Sequence, residues 1–386
     1  MVYVRRPANF VIATIKKVVV LTFFFTFLSS TYLSYFCLAQ EAAKSQPPGT
    51  PPGQRSDEAF ATPPSLSSFL NQTVIFIYED KTPQNANSLV PGRVLGTAFL
   101  VGIPPPGRKD VTIPFVVTAK HVIADQTIIL GRYTHKYGTE PVFVPYNLEE
   151  LRKNGDLWEY VNDEGVDIVV FRTLVYDNVK FQPFPIDLIS SKDTFTQEHI
   201  DVSDRVMIPC LMDKFPGIAQ NYPIFRDASI ALITEEPISF QWKLGSKLID
   251  TKQRIIFINS VLNEGFSGAP VFLWPGLRSM PGGIATIGGK PWLIGIVHGF
   301  FPQLRPVIDA DREAVILFKR SEEPPDLLGQ TKALRKVPVF SQENSATGVL
   351  FPSWLLLDIL QSGSVNKRVQ QLSDEENKRR PQDKKN

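Results

Sequence analysis

Short apolar runs, separated by clusters of glycine, proline, asparagine and aspartate, fill the chain from about residue 69 to residue 362. Runs of this length with turn residues at both ends are typical of β-strands, and helical periodicity is scarce before the C-terminus. The pattern predicts an all-β body. Because closing a sheet removes its edges, we expect two six-stranded β-barrels, over about residues 68–190 and 191–362. The last strand leads into Pro352, which suits the first turn of a closing C-terminal helix.

The N-terminal part of the chain differs from this body. Four basic residues precede an uncharged and very apolar stretch over residues 18–40. The stretch is typical of a signal peptide, and it is also long enough to span a bilayer as an uncleaved anchor. We assign residues 1–39 to a signal peptide or membrane anchor helix and residues 40–67 to a proline-rich linker. Both alternatives place the body outside the cytoplasm, either periplasmic or secreted, and the anchor would tether it to the membrane.

Two later segments depart from the strand pattern. Residues 300–345 are longer than a hairpin needs, which predicts an inserted surface segment. Residues 363–386 are polar and carry charges of both signs, which predicts a solvated, charged tail.

Charge and cysteine content exclude several classes of protein. The formal net charge is +2, and removal of the four leader charges would change it to about −2, so no nucleic-acid partner is expected. Cys37 lies in the leader, which leaves Cys210 as a buried thiol without a disulfide partner. The sequence has no His-Glu-x-x-His, no cysteine pair at ligand spacing and no Gly-x-Gly-x-x-Gly. We therefore expect neither a metal nor a cofactor.

A serine between two glycines is the most informative motif. It lies in residues 263–271, which read Asn-Glu-Gly-Phe-Ser-Gly-Ala-Pro-Val. On a sharp turn, the small neighbours of Ser267 would let a substrate approach, and successive N–H groups could point at one oxygen. The same short pattern also occurs in ordinary tight turns, so it needs partners elsewhere.

A serine hydroxyl is a poor nucleophile without a base, and the chain has four histidines. His121 follows a strand-like apolar run at residues 114–118 and lies close to the small Ala119. His135 and His199 lie in polar runs that are typical of a solvated surface. His121 is therefore the best candidate for the base.

The base needs a group that fixes its tautomer, and Asp167 lies at the mouth of a buried strand-like run, residues 168–171. Asp163 and Glu164 are alternative carboxylates, although neither is followed at once by such a run. Asp167 could also be an ordinary turn residue at the end of a strand.

The order His, Asp, Ser in these contexts resembles the trypsin-like serine peptidases. Their usual motifs are T-A-A-H, D-I-A-L and G-D-S-G-G-P, and this chain has T-A-K-H, D-I-V-V and G-F-S-G-A-P. The bacterial secreted branch, with the glutamyl endopeptidases and the heat-shock periplasmic proteases, is most similar. The resemblance covers about residues 68–362 and implies a trypsin-like peptidase domain there, with protein or peptide substrates. The charged tail is too short for the peptide-binding domain of the periplasmic proteases.

The resemblance also implies a mechanism. Ser267 would attack a peptide carbonyl, His121 would accept its proton and give it to the leaving amine, and Asp167 would hold the imidazole. The N–H groups of Gly265 and Ser267 would form the oxyanion hole.

By the same resemblance, the primary specificity pocket lies between the segment before the serine and two late strands. No acidic residue is placed there, which favours an apolar substrate side chain. The implied substrate-binding residues are Val261, Leu262, Val297, His298, Gly299 and Thr347.

Three positions depart from the family pattern. Phe266 replaces the acidic residue before the serine, so activation by a freshly cut N-terminus is not expected. Val297 is expected where a serine often supports the aspartate, which would leave Asp167 less supported. His298 lies one residue after the specificity histidine of glutamyl endopeptidases, and strand alternation would turn it to the other face.

Two further hypotheses remain open from the sequence. The chain could be a catalytically inert member of the fold that serves as a binding or sensing module of the cell envelope. It could also be a self-processing or very selective protease that is gated by the segment 300–345.

Overall fold

The structure is a computed structural model that describes most of the body. The described residues are 65–108, 111–174, 176–212, 215–276, 278–280, 284–286, 289–306, 316–320, 334–338 and 340–379. The expected signal or anchor segment, nearly all of the linker, much of the segment 300–345 and the end of the tail lie outside them.

Strands dominate the described residues, as the short apolar runs predict. The strands are β1 (Val74–Asp80), β2 (Pro91–Ile103), β3 (Ile113–Thr118), β4 (Ile128–His135), β5 (Val142–Asn147), β6 (Leu157–Glu159), β7 (Val169–Arg172), β8 (Val179–Lys180), β9 (Phe184–Pro185), β10 (Arg205–Cys210), β11 (Ile224–Ile233), β12 (Ile238–Leu244), β13 (Lys247–Gln253), β14 (Ile256–Asn259), β15 (Pro270–Leu273), β16 (Arg278–Met280), β17 (Ile284–Thr286), β18 (Leu293–Pro306), β19 (Ile316–Arg320), β20 (Leu334–Pro338) and β21 (Phe340–Pro352). The helices are α1 (Leu66–Thr73), α2 (Lys120–Ile123), α3 (Leu148–Lys153), α4 (Lys192–Gln197), α5 (Ser353–Leu360) and α6 (Gly363–Arg379), with a 3₁₀ turn at Ile186–Leu188.

The N-terminal half is a nine-stranded sheet in the order β5-β4-β1-β2-β3-β7-β6, with β8 paired to β4 and β9 to β2. Within the described residues, β5 and β6 do not pair with each other, so the sheet is a half-barrel. The expected six-stranded closure of this half is therefore wrong. The edge strand β6 has only three residues and offers few backbone groups for a further pairing.

The C-terminal half is a closed barrel of six strands in the order β10-β11-β14-β21-β18-β15. The all-β class, this barrel and the C-terminal helix are thus confirmed. Pro352 has extended backbone dihedral angles and caps α5. Proline fits this position because a helix leaves its first N–H groups without partners.

Strands β18 and β21 extend beyond the barrel as one long antiparallel hairpin, with partners from Gly295–Pro352 to Pro306–Phe340. The segment 300–345 therefore starts and ends as a continuation of barrel strands. The described part of its middle is a second hairpin, formed by β19 and β20.

One apolar cluster joins the two halves. It contains Phe115 from β3 and Phe272 from β15, and the rings of Phe184 and Phe272 lie 4.9 Å apart. Cys210 is fully buried within it, and burial raises the pKa of its thiol to about 12. Since a large and closely packed apolar core spans both halves, residues of the half-barrel and of the barrel keep fixed positions relative to one another.

A polar contact supplements this core. The buried Arg132 guanidinium on β4 donates to four backbone carbonyl groups of residues 216–220 and to the Asn221 Oδ1 atom, which lies 2.6 Å from Nη1. Burial lowers the pKa of Arg132. The segment before β11 is thereby fastened to the half-barrel.

None of the described helices is long and apolar enough to cross a membrane.

Candidate active site

The first-half residues of the predicted triad lie at the ends of two paired strands. His121 is in the single turn α2, directly after β3, and Asp167 lies two residues before β7. Because β3 and β7 are antiparallel neighbours with Thr118 opposite Val169, the end of one strand meets the start of the other. The sheet therefore brings the imidazole and the carboxylate together.

The carboxylate holds His121 by two contacts. Asp167 Oδ2 lies 2.6 Å from His121 Nδ1, and Asp167 Oδ1 accepts the His121 backbone N–H at 2.9 Å. The Asp167 side chain is fully buried. With Nδ1 donating to the carboxylate, the Nε2 atom of the neutral imidazole is an acceptor.

The pair has the electrostatics of an acid-base couple. Burial penalises charge on His121, but the attraction and hydrogen bond of Asp167 outweigh it and raise the pKa of the imidazole. Burial likewise opposes ionisation of Asp167, but His121 and His298 more than offset it and hold the pKa of the carboxyl well below its usual range. Asp167 is therefore a carboxylate at neutral pH.

Ser267 lies on the loop between β14 and β15, in the turn that the glycines predict. The Phe266 N–H donates to the Asn263 carbonyl at 3.2 Å, and Gly265 has a φ of +91°. An i to i+3 hydrogen bond with positive φ at the third residue is the pattern of a type II turn, which requires glycine there.

The backbone N–H groups of this loop fall into two sets. Those of Phe266, Gly268 and Ala269 donate to backbone carbonyls. Those of Gly265 and Ser267 have no acceptor among the described residues. They are the two groups that the sequence predicts for the oxyanion hole, and they remain available to a ligand oxygen.

Thr97 of β2 links this loop to the half-barrel. Its hydroxyl donates to the Gly265 carbonyl at 2.7 Å and accepts the Leu211 N–H at 3.0 Å. Its backbone N–H donates to the Ser267 carbonyl at 2.9 Å. One threonine therefore ties the serine loop to the sheet that carries His121.

The Ser267 hydroxyl donates to the His298 backbone carbonyl, at 3.2 Å. Ser267 and His121 line one cavity of about 260 Å³. Among the described contacts, Ser267 and His121 share no hydrogen bond, and hydrogen bonds between catalytic groups are often long or poorly aligned before substrate binds.

His298 reaches the carboxylate as well, which the sequence did not predict. Its Nδ1 lies 2.5 Å from Asp167 Oδ2, whereas Val297 is buried and its N–H donates to the Ala269 carbonyl. Asp167 is thus better supported than the family comparison suggested.

A β-bulge explains the orientation of His298. Val349 and Leu350 are adjacent on β21, but their partners on β18, Gly299 and Val297, are two residues apart. His298 is therefore the extra residue. A bulge re-aims side chains relative to regular alternation. Period-two patterning cannot reveal this, because nothing in the local sequence marks the extra residue.

Aromatic side chains enclose the His298 ring. The ring centroids of Trp242 and Phe351 lie 5.4 Å from it and that of Phe240 lies 6.0 Å away. Trp242 belongs to the hairpin β12–β13, and its Nε1–H donates to the Gly165 carbonyl at 3.1 Å. These aromatic residues reach the site only through tertiary contacts, such as that of Trp242 with Gly165, 77 residues away along the chain, so no local sequence pattern marks them.

The cavity includes four of the six predicted substrate-binding residues, Leu262, Val297, His298 and Gly299. Val261 is half exposed and Thr347 pairs with Asn259, and neither belongs to the lining. The remaining lining residues are His121, Trp242, Lys243, Asn263, Glu264, Phe266, Ser267 and Phe300.

The alternative carboxylates have other partners. Asp163 accepts the Gln253 amide at 2.5 Å and the Gly165 N–H at 2.6 Å. The exposed Glu164 pairs with Lys247 at 3.2 Å. Asp167 is therefore the carboxylate that contacts His121.

The cluster of His121, Asp167 and His298 also has the composition of a metal site, with donor atoms within 4.8 Å of one another. Zinc bonds of about 2.0–2.1 Å would place tetrahedral ligand atoms about 3.3 Å apart. The Nδ1–Oδ2 distances of 2.6 and 2.5 Å are shorter than that and fit N–H···O hydrogen bonds to a carboxylate. As arranged, the three side chains do not fit a metal ion.

No protein-family model and no curated protein matches the sequence. Among solved structures, the MamO protease domain from Magnetospirillum magneticum, in its apo form, aligns over 77% of this chain and 100% of its own, with a TM-score of 0.39 and 11% identity. The HtrA-type protease AlgW with a decapeptide aligns over 78% of this chain and 64% of its own, with a TM-score of 0.37 and 13% identity. Similarity this weak identifies no family.

Proposed function

We propose that this protein is an exported serine endopeptidase that hydrolyses peptide bonds through a Ser267-His121-Asp167 triad. One observation carries the proposal. His121 is bound through Nδ1 to a buried carboxylate, and it shares a cavity with a serine whose turn has two N–H groups without acceptors in the described part of the chain. This arrangement supplies a nucleophile, an oriented base and oxyanion donors in one place.

The proposed reaction has two stages. The Ser267 hydroxyl turns away from the His298 carbonyl and attacks the peptide carbonyl, while His121 Nε2 takes its proton. The Gly265 and Ser267 N–H groups bind the resulting oxyanion, and His121 then protonates the leaving amine. Water, activated by the same imidazole, hydrolyses the acyl-enzyme ester and restores Ser267.

The cavity supports a preference for an apolar substrate side chain. Leu262, Phe266 and Val297 are buried in its wall, and the charged residues in the lining are Lys243 and Glu264, one of each sign. A charged side chain would therefore enter an apolar wall without a dedicated counter-ion. We take proteins or peptides as the substrate class.

Phe266 supports activity without cleavage at a new N-terminus. Its ring is buried in the main core cluster, and the Arg226 guanidinium lies 5.7 Å from the ring centroid. The side chain before the serine is thus anchored by packing and a cation–π contact, which need no incoming ammonium group.

Fluorophosphonate labelling of the purified full-length protein tests the proposal. We expect labelling of the wild type and its loss in Ser267→Ala and His121→Ala. His199→Ala is the matched control, because His199 lies in a turn before β10 away from the cavity. Labelling that survives Ser267→Ala would place the nucleophile elsewhere.

The orientation of the Ser267 hydroxyl favours one second candidate, an inert binding module of the cell envelope. In such a module the hydroxyl would stay on the His298 carbonyl, at 3.2 Å. A folded wild type that takes no label at high probe concentration, even after long incubation, would support this candidate over the peptidase.

Export is a separate part of the proposal and rests on the basic and apolar N-terminal residues. N-terminal sequencing of the protein recovered from its native cells distinguishes a cleaved leader from an anchor through residues 18–40. Recovery in the cytoplasmic fraction with an intact N-terminus would contradict export.

A further inference from the structure

One of the departures of β18 from regular pairing lies beside the site, and the extra residue there is a histidine. Three residues of β18, Val297 to Gly299, lie opposite two residues of β21. The extra residue, His298, turns its ring from the strand toward Asp167. A bulge at this point interrupts a barrel strand and its ladder of hydrogen bonds, so it is a feature in need of an explanation.

We propose that His298 is a positioning residue, whose Nδ1–H group holds the Asp167 carboxylate in place for His121. This inference rests on the proposed function. Asp167 Oδ2 accepts hydrogen bonds from both imidazoles, at 2.6 and 2.5 Å, while Oδ1 accepts the His121 backbone N–H at 2.9 Å. The carboxylate is fully buried, so no solvent contact would replace a lost donor.

The surroundings of His298 favour this role over that of a substrate ligand. Trp242 and Phe240 of β12 and Phe351 of β21 pack around its ring, and only 14% of its side chain is exposed. The titratable groups that face it are Asp167 and His121, whose ring centroid is 5.4 Å away. Lys243 and Glu264 line the same cavity.

With an Nδ1–H group on each neutral imidazole, the three side chains together carry one negative charge at rest. During attack, His121 becomes positive, and the Nδ1–H of His298 keeps the carboxylate oxygen in place beside it.

Histidine tautomers can be measured without any activity. In two-bond ¹H–¹⁵N spectra of the histidine-labelled full-length protein at pH 8, we expect His121 and His298 as Nδ1–H tautomers with strongly downfield Nδ1 protons. His135 is an internal control for the other tautomer, because its Nδ1 accepts the Tyr137 N–H at 2.9 Å. Observation of His298 as the Nε2–H tautomer would overturn the proposal, whether or not the protein is a peptidase.

Kinetics test the positioning role directly. We expect His298→Ala to lower kcat about 10- to 100-fold, the range of a lost hydrogen bond to a buried charge, with KM changed less than about twofold. His298→Asn keeps an N–H donor at this position and should restore kcat to within about fivefold of the wild type.

His199→Asn is the control variant, because His199 has a φ of +50°, which asparagine tolerates. It should leave the kinetics unchanged. If His298→Ala lowers only the melting temperature, or if His298→Asn loses as much kcat as His298→Ala, His298 has no positioning role. Absence of labelling and turnover in the wild type would contradict the proposed function instead, and the tautomer measurement would still decide the role of His298.

Discussion

The two halves of the molecule contribute to the site in different ways. The half-barrel contributes His121 and Asp167, and the buried carboxylate accepts hydrogen bonds from both the imidazole and the backbone N–H of His121. The closed barrel contributes a turn, in which Ser267 and two backbone N–H groups are placed by glycine dihedral angles and by the hydrogen bond from the Gly268 N–H to the Val297 carbonyl. The acid-base half therefore depends on charge, and the nucleophile half depends on backbone geometry.

This difference decides how each half responds to change. Electrostatic contacts respond to pH and to the loss of a charge at nearly constant shape. A backbone turn responds to a single added methyl group and is indifferent to pH.

Removal of the buried charge should have the largest effect. Asp167→Asn should lower kcat about 10⁴-fold, because the amide favours the wrong tautomer of His121. The pKa of Asp167 is depressed, so its contribution to stability is present above the ordinary carboxyl pKa and is lost as the pH falls through the folded-state pKa. Acid unfolding followed by circular dichroism should show that Asp167→Asn lacks this contribution.

Asp156→Asn is the matched control for this variant. Asp156 is also a buried carboxylate, but it pairs with Arg368 at 2.6 and 2.9 Å, away from the cavity. The Asp156→Asn protein should be less stable than the wild type and should retain its kcat. Equal losses of kcat in the two variants would refute a specific role for Asp167.

The glycines should separate activity from stability. At Gly265 an added Cβ would have Leu211 O as its nearest neighbour, at 3.7 Å, so Gly265→Ala meets only the cost of positive φ, about 1–2 kcal/mol. It should fold, and the displaced N–H group should lower kcat about tenfold or more.

Gly268→Ala, in contrast, should mainly lower the stability of the fold. Its Cβ would overlap Thr97 O and Thr118 Oγ1, so we expect a loss of about 3 kcal/mol or more in the free energy of unfolding. Urea denaturation and kcat measured for both variants test the pair. A Gly265→Ala protein with full activity would mean that its N–H group does not bind the oxyanion.

The threonine that joins the halves should have a smaller effect. Thr97→Val removes the hydroxyl that holds the Gly265 carbonyl, and it should lower kcat about tenfold, while Thr97→Ser should restore most of it. Thr234→Val is the control, because Thr234 also accepts an N–H and donates to a carbonyl, both of Ile255. In thermal melts, we expect Thr97→Val and Thr234→Val to lose comparable stability. In steady-state kinetics, only Thr97→Val should lose kcat.

The smallest effect is a displaced pH dependence. Since the pKa of His121 is raised, the acid limb of kcat/KM should have its midpoint above about 6.5, the ordinary histidine value. The same shift stabilises the fold below that pH, and this contribution is lost as the pH rises through the folded-state pKa. A midpoint at or below 6 in a pH-rate profile would contradict the electrostatic coupling of His121 and Asp167.

Much of the fold was readable from local patterns. The apolar runs predicted the strands, and the position of Pro352 predicted the start of α5. The closure of the first half was not readable, because it depends on whether β5 and β6 pair across the sheet, and the three-residue β6 has no local mark of being an edge.

Some residues of the candidate site were likewise predictable from local patterns, and others were not. The residue types of His121, Asp167 and Ser267, and the glycines beside the serine, follow from the sequence because each stands at the end of a strand-like run. The roles of Thr97, Trp242 and His298 were hidden, since each depends on a contact between segments far apart in the chain.

The order of residues along the chain thus determined which chemical groups stand at the ends of strands, since strand formation and turn formation are local. Only the tertiary structure decided which of those groups share a hydrogen bond. Asp167 shows the difference, because its burial, its contact with His121 and its contact with His298 come from three separate segments. The bulge in β18 orients His298 toward the site. Its cause is the register in which two strands pair, which only the tertiary structure decides.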